Sequence, residues 1–354
     1  MKLTATYPLL VTLALAACGD GTNPFDPDEP EEEPAEITHE LLPGTENPTP
    51  DSAITRYEAP GTGGGAGTAT GFAYNAGDDT FYVDNLPFDG DNSYRRGTTV
   101  STLGGGAYQV YENDPVSIDP QTGNPINNFT YRALYGKSTT GQTEFAIVRS
   151  GSYAGFGFGG FIYHRNATDN NGDPVSLVVP NCTGDCSAQY TGSYAGVRVF
   201  NGRGGIEYSQ GDAEMVLDFE DFNSGQTGAV VYVRNRRLFD SDGNDVTAAY
   251  LTALEDVDDQ TTIVNTGGGA RIPNMVSVIA NNNADPNGEI VGEMTSQVVN
   301  SDGTVVPLES GNYYAVLSGT DASEIVGVVV VESDDPRLDG SQVQETGGFI
   351  LYRN

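Results

Sequence analysis

The sequence predicts an all-β protein, and three observations carry that prediction. Short β-branched and aromatic runs recur along the chain, parted by Gly, Asp and Asn turns, which is how strands of sandwiches and barrels read. Gly (46) and Tyr (19) are abundant while Trp is absent, and long helical patterns are few. The last stretch, Gly311 to Asn354, holds three clear strand signals: Tyr313 to Leu317, Ile325 to Val331 and Gly347 to Arg353. A chain of 354 residues exceeds the usual size of one core, so two folded units and a tail are expected.

Charge narrows the function classes. The formal net charge of -33 disfavours nucleic acid, because phosphate binding needs clustered Lys and Arg. Lys2 and Lys137 are the only lysines, which argues against Schiff-base chemistry and a lysine-based phosphate site. An acidic surface of this kind reads first as a solubility device.

Taken in order, the chain begins with a secretory signal over residues 1–17: Lys2 gives the charged start, Leu9 to Ala17 the short apolar core. Leu15-Ala16-Ala17-Cys18 resembles the bacterial lipobox, which implies cleavage before Cys18 and acylation there. Residues 18–60, rich in Asp, Glu and Pro, read as a disordered, self-repelling acidic tether. A β-rich domain is expected over 61–166, with strands near Thr70–Tyr74, Thr80–Asn85, Tyr108–Glu112, Phe129–Tyr135, Thr143–Arg149 and Gly157–His164. Turn chemistry marks the loops at Phe88 to Asn92 and Ile118 to Asn128.

Residues 167–186 read as a linker with a short disulfide loop, Cys182 to Cys186, which leaves the odd cysteine, Cys18, for the lipid. From 187 to 354 strand signals fall at Gln189–Phe200, Gly205–Ser209, Glu214–Phe219, Ala229–Arg234, Thr261–Asn265, Met275–Ala280, Glu289–Val299 and the final three runs, and about eight antiparallel strands with Gly at corners suit a small closed barrel, since closure removes exposed edges. Asp245 to Val257 is the exception: Asp245 can cap, and Val246, Tyr250, Leu251 and Leu254 fall near helical spacing.

GGFIYHRN at Gly159 recurs as GGFILYRN at Gly347, while GSYAG at Gly151 recurs at Gly192. Two offsets speak for a reused strand device more than for duplicated lobes: Gly admits a close neighbour and an aromatic covers the bared backbone. Phe349 and Leu351 should then face one side of the sheet, Ile350 and Tyr352 the other.

Sites of chemistry are weak. Asp240, Asp242 and Asp245 superficially resemble a calcium loop, but the glycine is misplaced for an EF-hand, no Glu closes position twelve, and hairpin or helix-cap use explains them equally well. His164 is better read as a strand-end residue than as a general base. Tyr153, Phe156, Phe158, Phe161 and Tyr163 suit a core or a recognition face, and Arg234, Arg236 and Arg237 suit ion pairs with Asp240 and Asp242 or an anionic ligand. No catalytic residue, metal site or cofactor follows.

Gly319-Thr-Asp-Ala322-Ser-Glu324-Ile-Val-Gly327, followed by Glu345-Thr-Gly347-Gly348-Phe349, resembles the Gly-x-x-Ala-x-Glu-x-x-Gly barrel signature of transferrin-binding protein B-like surface lipoproteins. Tyr190-Thr-Gly192, Asp212 to Phe219, Gly228 and Asn235-Arg236 are similar to earlier strands of that barrel. The chain departs where Leu317-Ser318-Gly319-Thr320 replaces an aromatic-aromatic-Gly-Pro start, and it corresponds to one lobe rather than two. The resemblance implies a handle domain beside the barrel. It further implies a non-enzymatic outer-membrane lipoprotein exposed at the surface, taking an iron- or haem-carrying protein or other nutrient ligand and working with an outer-membrane receptor. The alternative is a structural or protein-interaction lipoprotein of the envelope.

Intact mass before and after reduction with alkylation should reveal one disulfide, at Cys182 and Cys186. Two thiols alkylated without reduction would refute the pairing.

Overall fold

The structure, a computed structural model, describes residues 41–61, 69–152, 154–181, 186–219, 228–256, 271–278, 284–300 and 302–354. An antiparallel handle sheet and a closed antiparallel barrel make up the fold.

The handle contributes β1 (Ile54–Tyr57), β2 (Phe72–Asn75), β3 (Thr80–Val83), β4 (Ser93–Arg96), β5 (Thr102–Leu103), β6 (Tyr108–Asn113), β9 (Arg132–Lys137), β10 (Thr143–Arg149) and β11 (Gly159–Arg165), with the order β1-β11-β10-β9-β6-β4-β3-β2 and β5 on β6. A separate hairpin, β7 (Val116–Ile118) with β8 (Pro125–Asn127), projects between β6 and β9. The stretch 18–60 therefore needs correction at its end, because Ile54–Tyr57 pairs with β11 and belongs to the handle. Within the stretch expected as a linker, Leu177 packs rather than merely links: it is buried in the barrel core and its N–H donates to Pro50 O at 2.8 Å.

The barrel runs β12 (Ser187–Phe200), β13 (Arg203–Asp218), β14 (Ala229–Asp240), β15 (Met275–Ser277), β16 (Glu289–Val299), β17 (Val305–Ser318), β18 (Glu324–Asp334) and β19 (Gln342–Arg353), closing β19 onto β12. The two segments expected over Gly205–Ser209 and Glu214–Phe219 are one strand, β13, and the segment Thr261–Asn265 lies outside the described residues. The expected helix is α1 (Thr247–Asp256). Asp245 Oδ1 accepts the Thr247 N–H at 2.9 Å, and Tyr250, Leu251 and Leu254 are its buried side. That side packs on Leu238, Ile272 and Val298, beside the seam where β15 pairs with only two residues of each neighbour.

Alternation along the strands sorts the cores. Phe349 and Leu351 point into the barrel, whereas Ile350 and Tyr352 pack with Ile54, Phe145 and Phe161 of the handle, as the strand period requires. Side chains fill the barrel, among them the fully buried Tyr190, Tyr194, Tyr313 and Arg198. Gly327 and Gly347 make room for rings: a Cβ on Gly327 would stand 2.4 Å from Phe349 Cζ, and one on Gly347 2.1 Å from Tyr194 Oη.

One end of the barrel is charged. Arg236 pairs with Glu309, Arg198 with Glu207 and Arg337 with Asp335, while Tyr194 and Ser209 donate to Glu345 at 2.8 Å each. Burial opposes ionisation of Glu309, yet Arg236 and the Ser296 hydroxyl outweigh it and hold the carboxyl below its usual range. Arg236 reaches this interior because the strand changes face. Asn235 sits at φ 54 opposite the register shift at Gln210/Asp212, so Val233 and Arg236 both point inward where strict alternation would separate them.

Handle and barrel share buried polar bonds. Arg56 makes a two-pronged pair with Glu289 at 2.5 and 2.6 Å, and Tyr108 Oη donates to Ser193 O at 2.6 Å while accepting the Ile350 N–H at 2.9 Å. Arg165, fully buried, donates to the carbonyls of Thr49, Ser52, Asn287 and Leu317 at 2.8 to 3.1 Å. Replacing Arg165→Met should strand these acceptors and cost about 3–5 kcal/mol. Urea unfolding should report the loss for handle and barrel in one transition. An unchanged midpoint would show that the guanidinium is dispensable.

Candidate functional site

The residues singled out from sequence fall into distinct places. Cys18 and Cys182 lie outside the described residues, and Cys186 packs at the rim of the barrel core. The signature residues gather where handle meets barrel. Gly319 (φ 87) and Ala322 (φ 47) shape the turn between β17 and β18, and Tyr190 Oη donates to Ala322 O at 2.6 Å. Glu324, fully buried, accepts from Thr140 Oγ1 at 2.6 Å and Thr143 Oγ1 at 2.7 Å, clasping the handle's β9–β10 turn. Phe349 lies over Gly327, Tyr194 over Gly347, and Phe145 of the handle over Gly348. Gly319, Glu324 and Gly348 touch the handle, whereas Gly327, Gly347 and Phe349 pack within the barrel.

The other candidates are engaged structurally. His164 Nδ1 is 2.8 Å from Thr55 Oγ1, its ring meets Phe72 edge-on at 4.9 Å, and burial lowers its pKa against the opposing pull of Glu144. Asp240 accepts the N–H groups of Asp242 and Asn244 at 3.0 and 2.8 Å, a turn use of the carboxylate. The arginine cluster forms ion pairs, but with partners that differ from the expected Asp240 and Asp242: Arg234 with Glu214 at 2.6 Å, Arg236 with Glu309, and Arg237 with Asp245. Tyr153 lies outside the described residues. Phe156, Phe161 and Tyr163 pack in the cluster shared with the barrel, and Phe158 is the described member of the set that lines a surface cleft.

That cleft stands at one end of the handle, beside the β7–β8 hairpin. The loops beside it rest on a polar, fixed base. Buried Asn113 donates to Phe129 O at 2.8 Å and accepts the Tyr131 N–H at 2.7 Å, Tyr131 Oη donates to Pro87 O at 2.8 Å, and Tyr94 Oη donates to Asp89 at 3.1 Å. Burial pushes the Asp89 carboxyl up, although the Tyr94 hydrogen bond pulls the other way. On this base three rings form a ladder: Phe88 meets Phe129 edge-on at 5.3 Å, and Phe129 stacks on Phe158 at 5.4 Å with an 11° tilt.

Above the base the surface is apolar. Phe88 is 64% exposed and Ile118 62%, with Val116 and Ile126 also exposed, so four large apolar side chains stand in water around this loop and the two faces of the hairpin. Cross-strand register puts Val116 and Ile118 on one face of the hairpin and Ile126 on the other, where Ser117 Oγ ties back to Asn128 Oδ1 at 3.1 Å. Phe88 holds φ 57, a left-handed backbone that a bulky residue seldom adopts. A cleft of about 580 Å³ opens beside the ladder, walled by Phe129 and Phe158 and floored by Ser150, Gly151 and Ser152. Both loops read from sequence as plain turns. A Phe before Asp-Gly and the apolar residues around Ile118 were the available signals.

No protein-family model matches the chain, and no curated protein matches it. Solved structures similar to it include transferrin-binding proteins B. The Tyr-167-Ala, Trp-176-Ala double mutant from Haemophilus parasuis Hp5 is 12% identical over 81% of this chain and 42% of that one, with a TM-score of 0.34. Intact Ap-TbpB, with N and C lobes, is 12% identical over 78% and 52%, with a TM-score of 0.29. The isotype 1 protein from serogroup B Neisseria meningitidis is 12% identical over 86% and 52%, again at 0.29. This chain thus spans about half the length of those structures.

Substituting Phe88→Gly should relieve the left-handed strain and raise stability by about 1 kcal/mol, on the scale of 1–2 kcal/mol for such a backbone. Thermal melts of both forms check this, and a lower midpoint for Phe88→Gly would mean that the ladder contact outweighs the strain.

Proposed function

We propose that this chain is a lipid-anchored binding protein of the cell envelope that captures a protein ligand at the cell surface through the hairpin end of its handle. The observation that carries the reading is the pairing of a rigid polar base with exposed Phe88, Val116, Ile118 and Ile126 on a protein whose barrel is filled by its own side chains. Among the described residues the barrel strands pack their own side chains inward, which favours recognition on outer surfaces. The class of ligand, an iron- or haem-carrying protein, comes from the sequence resemblance around Gly319 to Gly327, and so does the outer-membrane receptor that would receive it. Anchoring rests on Leu15-Ala16-Ala17-Cys18, and the acidic stretch after it supplies reach. The chemistry is binding, without a catalytic step.

Cys18→Ser should move the protein from the membrane to the soluble fraction. Protease added to intact cells should cleave an epitope tag in the handle of the anchored form. Cleavage only after the outer membrane is permeabilised would place the handle inside and end the surface reading. Immobilised protein should retain transferrin or haemoglobin, with Ile118→Asp weakening retention; retention of neither removes the proposed ligand class.

A further inference from the structure

The β7–β8 hairpin leaves backbone groups unused. Asp119 N–H donates to Asn124 O and Asn128 N–H to Pro115 O, both at 2.9 Å, so the pairs bonded across the hairpin are Pro115 with Asn128, Ser117 with Ile126 and Asp119 with Asn124. The residues between them, Val116 and Ile118 on β7 and Pro125 and Asn127 on β8, turn their main-chain polar groups outwards. The hairpin is a sheet of its own, with no further strand beside it among the described residues. Among those residues, too, no group bonds to the N–H or C=O of Val116 or Ile118.

The two outer edges are not equivalent. Pro125 removes a donor from the β8 edge, a common guard against strand addition. The β7 edge has no such guard, and Val116 and Ile118 stand exposed on the face turned away from Ser117, whose side chain looks towards Gly90. Asp114 and Asp119 bracket that edge. Asp114 meets exposed Arg95 at 3.3 Å, a contact that contributes little, and the N–H groups of Gln121 and Thr122 hold the Asp119 carboxyl below its usual range. A second copy laid antiparallel here would bring Asp114 of one chain towards Asp119 of the other, in a protein of net charge -33, so self-pairing is disfavoured. We propose that β7 receives an extended segment of the protein ligand as an added antiparallel strand, with apolar side chains opposite Val116 and Ile118 and a lysine or arginine beyond them. This rests on the surface-capture reading above and states how the partner is held. Val116 and Ile118 each exchange a pair of hydrogen bonds with the new strand, which a helix, its backbone already bonded, could not supply.

The full chain, carrying isotope-labelled valine and isoleucine, reports the edge directly by magnetic resonance. The probe is acetyl-Lys-Val-Thr-Val-Lys-amide, and the amide signals of Val116 and Ile118 should shift as it is added to millimolar concentration. N-methylation of both probe valines removes the donors that face the edge and should weaken binding about fivefold or more, whereas N-methylation of the threonine should not. Ile118→Pro keeps an apolar side chain and the bonds within the hairpin but loses one outward N–H, and should weaken binding to a similar degree. Asn127→Pro makes the same change on the β8 edge and should leave binding unaltered. Acetyl-Glu-Val-Thr-Val-Glu-amide should bind more weakly than the lysine peptide, with the difference shrinking in salt.

Unshifted Val116 and Ile118 amides, or undiminished binding of the peptide methylated on its valines, overturns the added strand. Equal losses in Ile118→Pro and Asn127→Pro overturn the choice of edge, and equal affinity for the lysine and glutamate peptides overturns the basic flanks. A dimer in sedimentation that Ile118→Pro abolishes gives the edge to a second copy and overturns the ligand strand. Retention of transferrin or haemoglobin that is lost in Ile118→Asp yet kept in Ile118→Pro overturns strand addition while leaving surface capture intact. Peptide binding at β7 without retention of either protein upholds the edge and removes only the ligand class.

Discussion

A single guanidinium organises the junction on which both halves rely. Arg165 ends β11, lies away from water, and gives its N–H groups to carbonyls of the N-terminal segment, the turn before β16 and the end of β17. Burying such a charge is tolerable only because the oxygens around it are fixed and aimed. Burial lowers its pKa, with Glu289 and Asp285 opposing that shift from nearby, and Glu289 in turn is held by Arg56 of β1. Strand β1 thus enters the handle sheet as part of this junction.

The junction also explains why parts of the fold were legible. Strands β18 and β19 are covered by barrel core on one face and handle on the other, so they read as nearly continuous apolar runs and stood out first. Strand β13 alternates between core and solvent across a register shift, and from sequence it looked like two pieces. Strand β1 is four residues within acidic, proline-rich surroundings, and only its pairing with β11 makes it a strand. Helix α1 announced itself through Asp245 and the spacing of Tyr250, Leu251 and Leu254.

The candidate site was less legible for physical reasons. An apolar residue in a turn carries the same letters whether it is buried or exposed, so Ile118 and Phe88 gave no sign of standing in water. The left-handed backbone at Phe88 depends on Asn113, Tyr94 and Tyr131 gripping the loops around it, which no local pattern encodes. For the arginines, ion pairing was legible while the partners were not. Arg236 and Glu309 lie 73 positions apart and meet only because a bulge turns the strand inward.

The way the N-terminal segment is fastened has a mechanical consequence. Thr49 and Ser52 are gripped by Arg165, and Arg56 by Glu289, before the chain continues into the rest of the handle. Tension applied ahead of residue 49 would therefore pass sideways into the barrel wall through β16 and β17 instead of peeling the handle strand by strand. The handle's hairpin end, where Phe88 and Ile118 face solvent, would keep its shape under load, as a hook does when its shank is bolted to the heavier part.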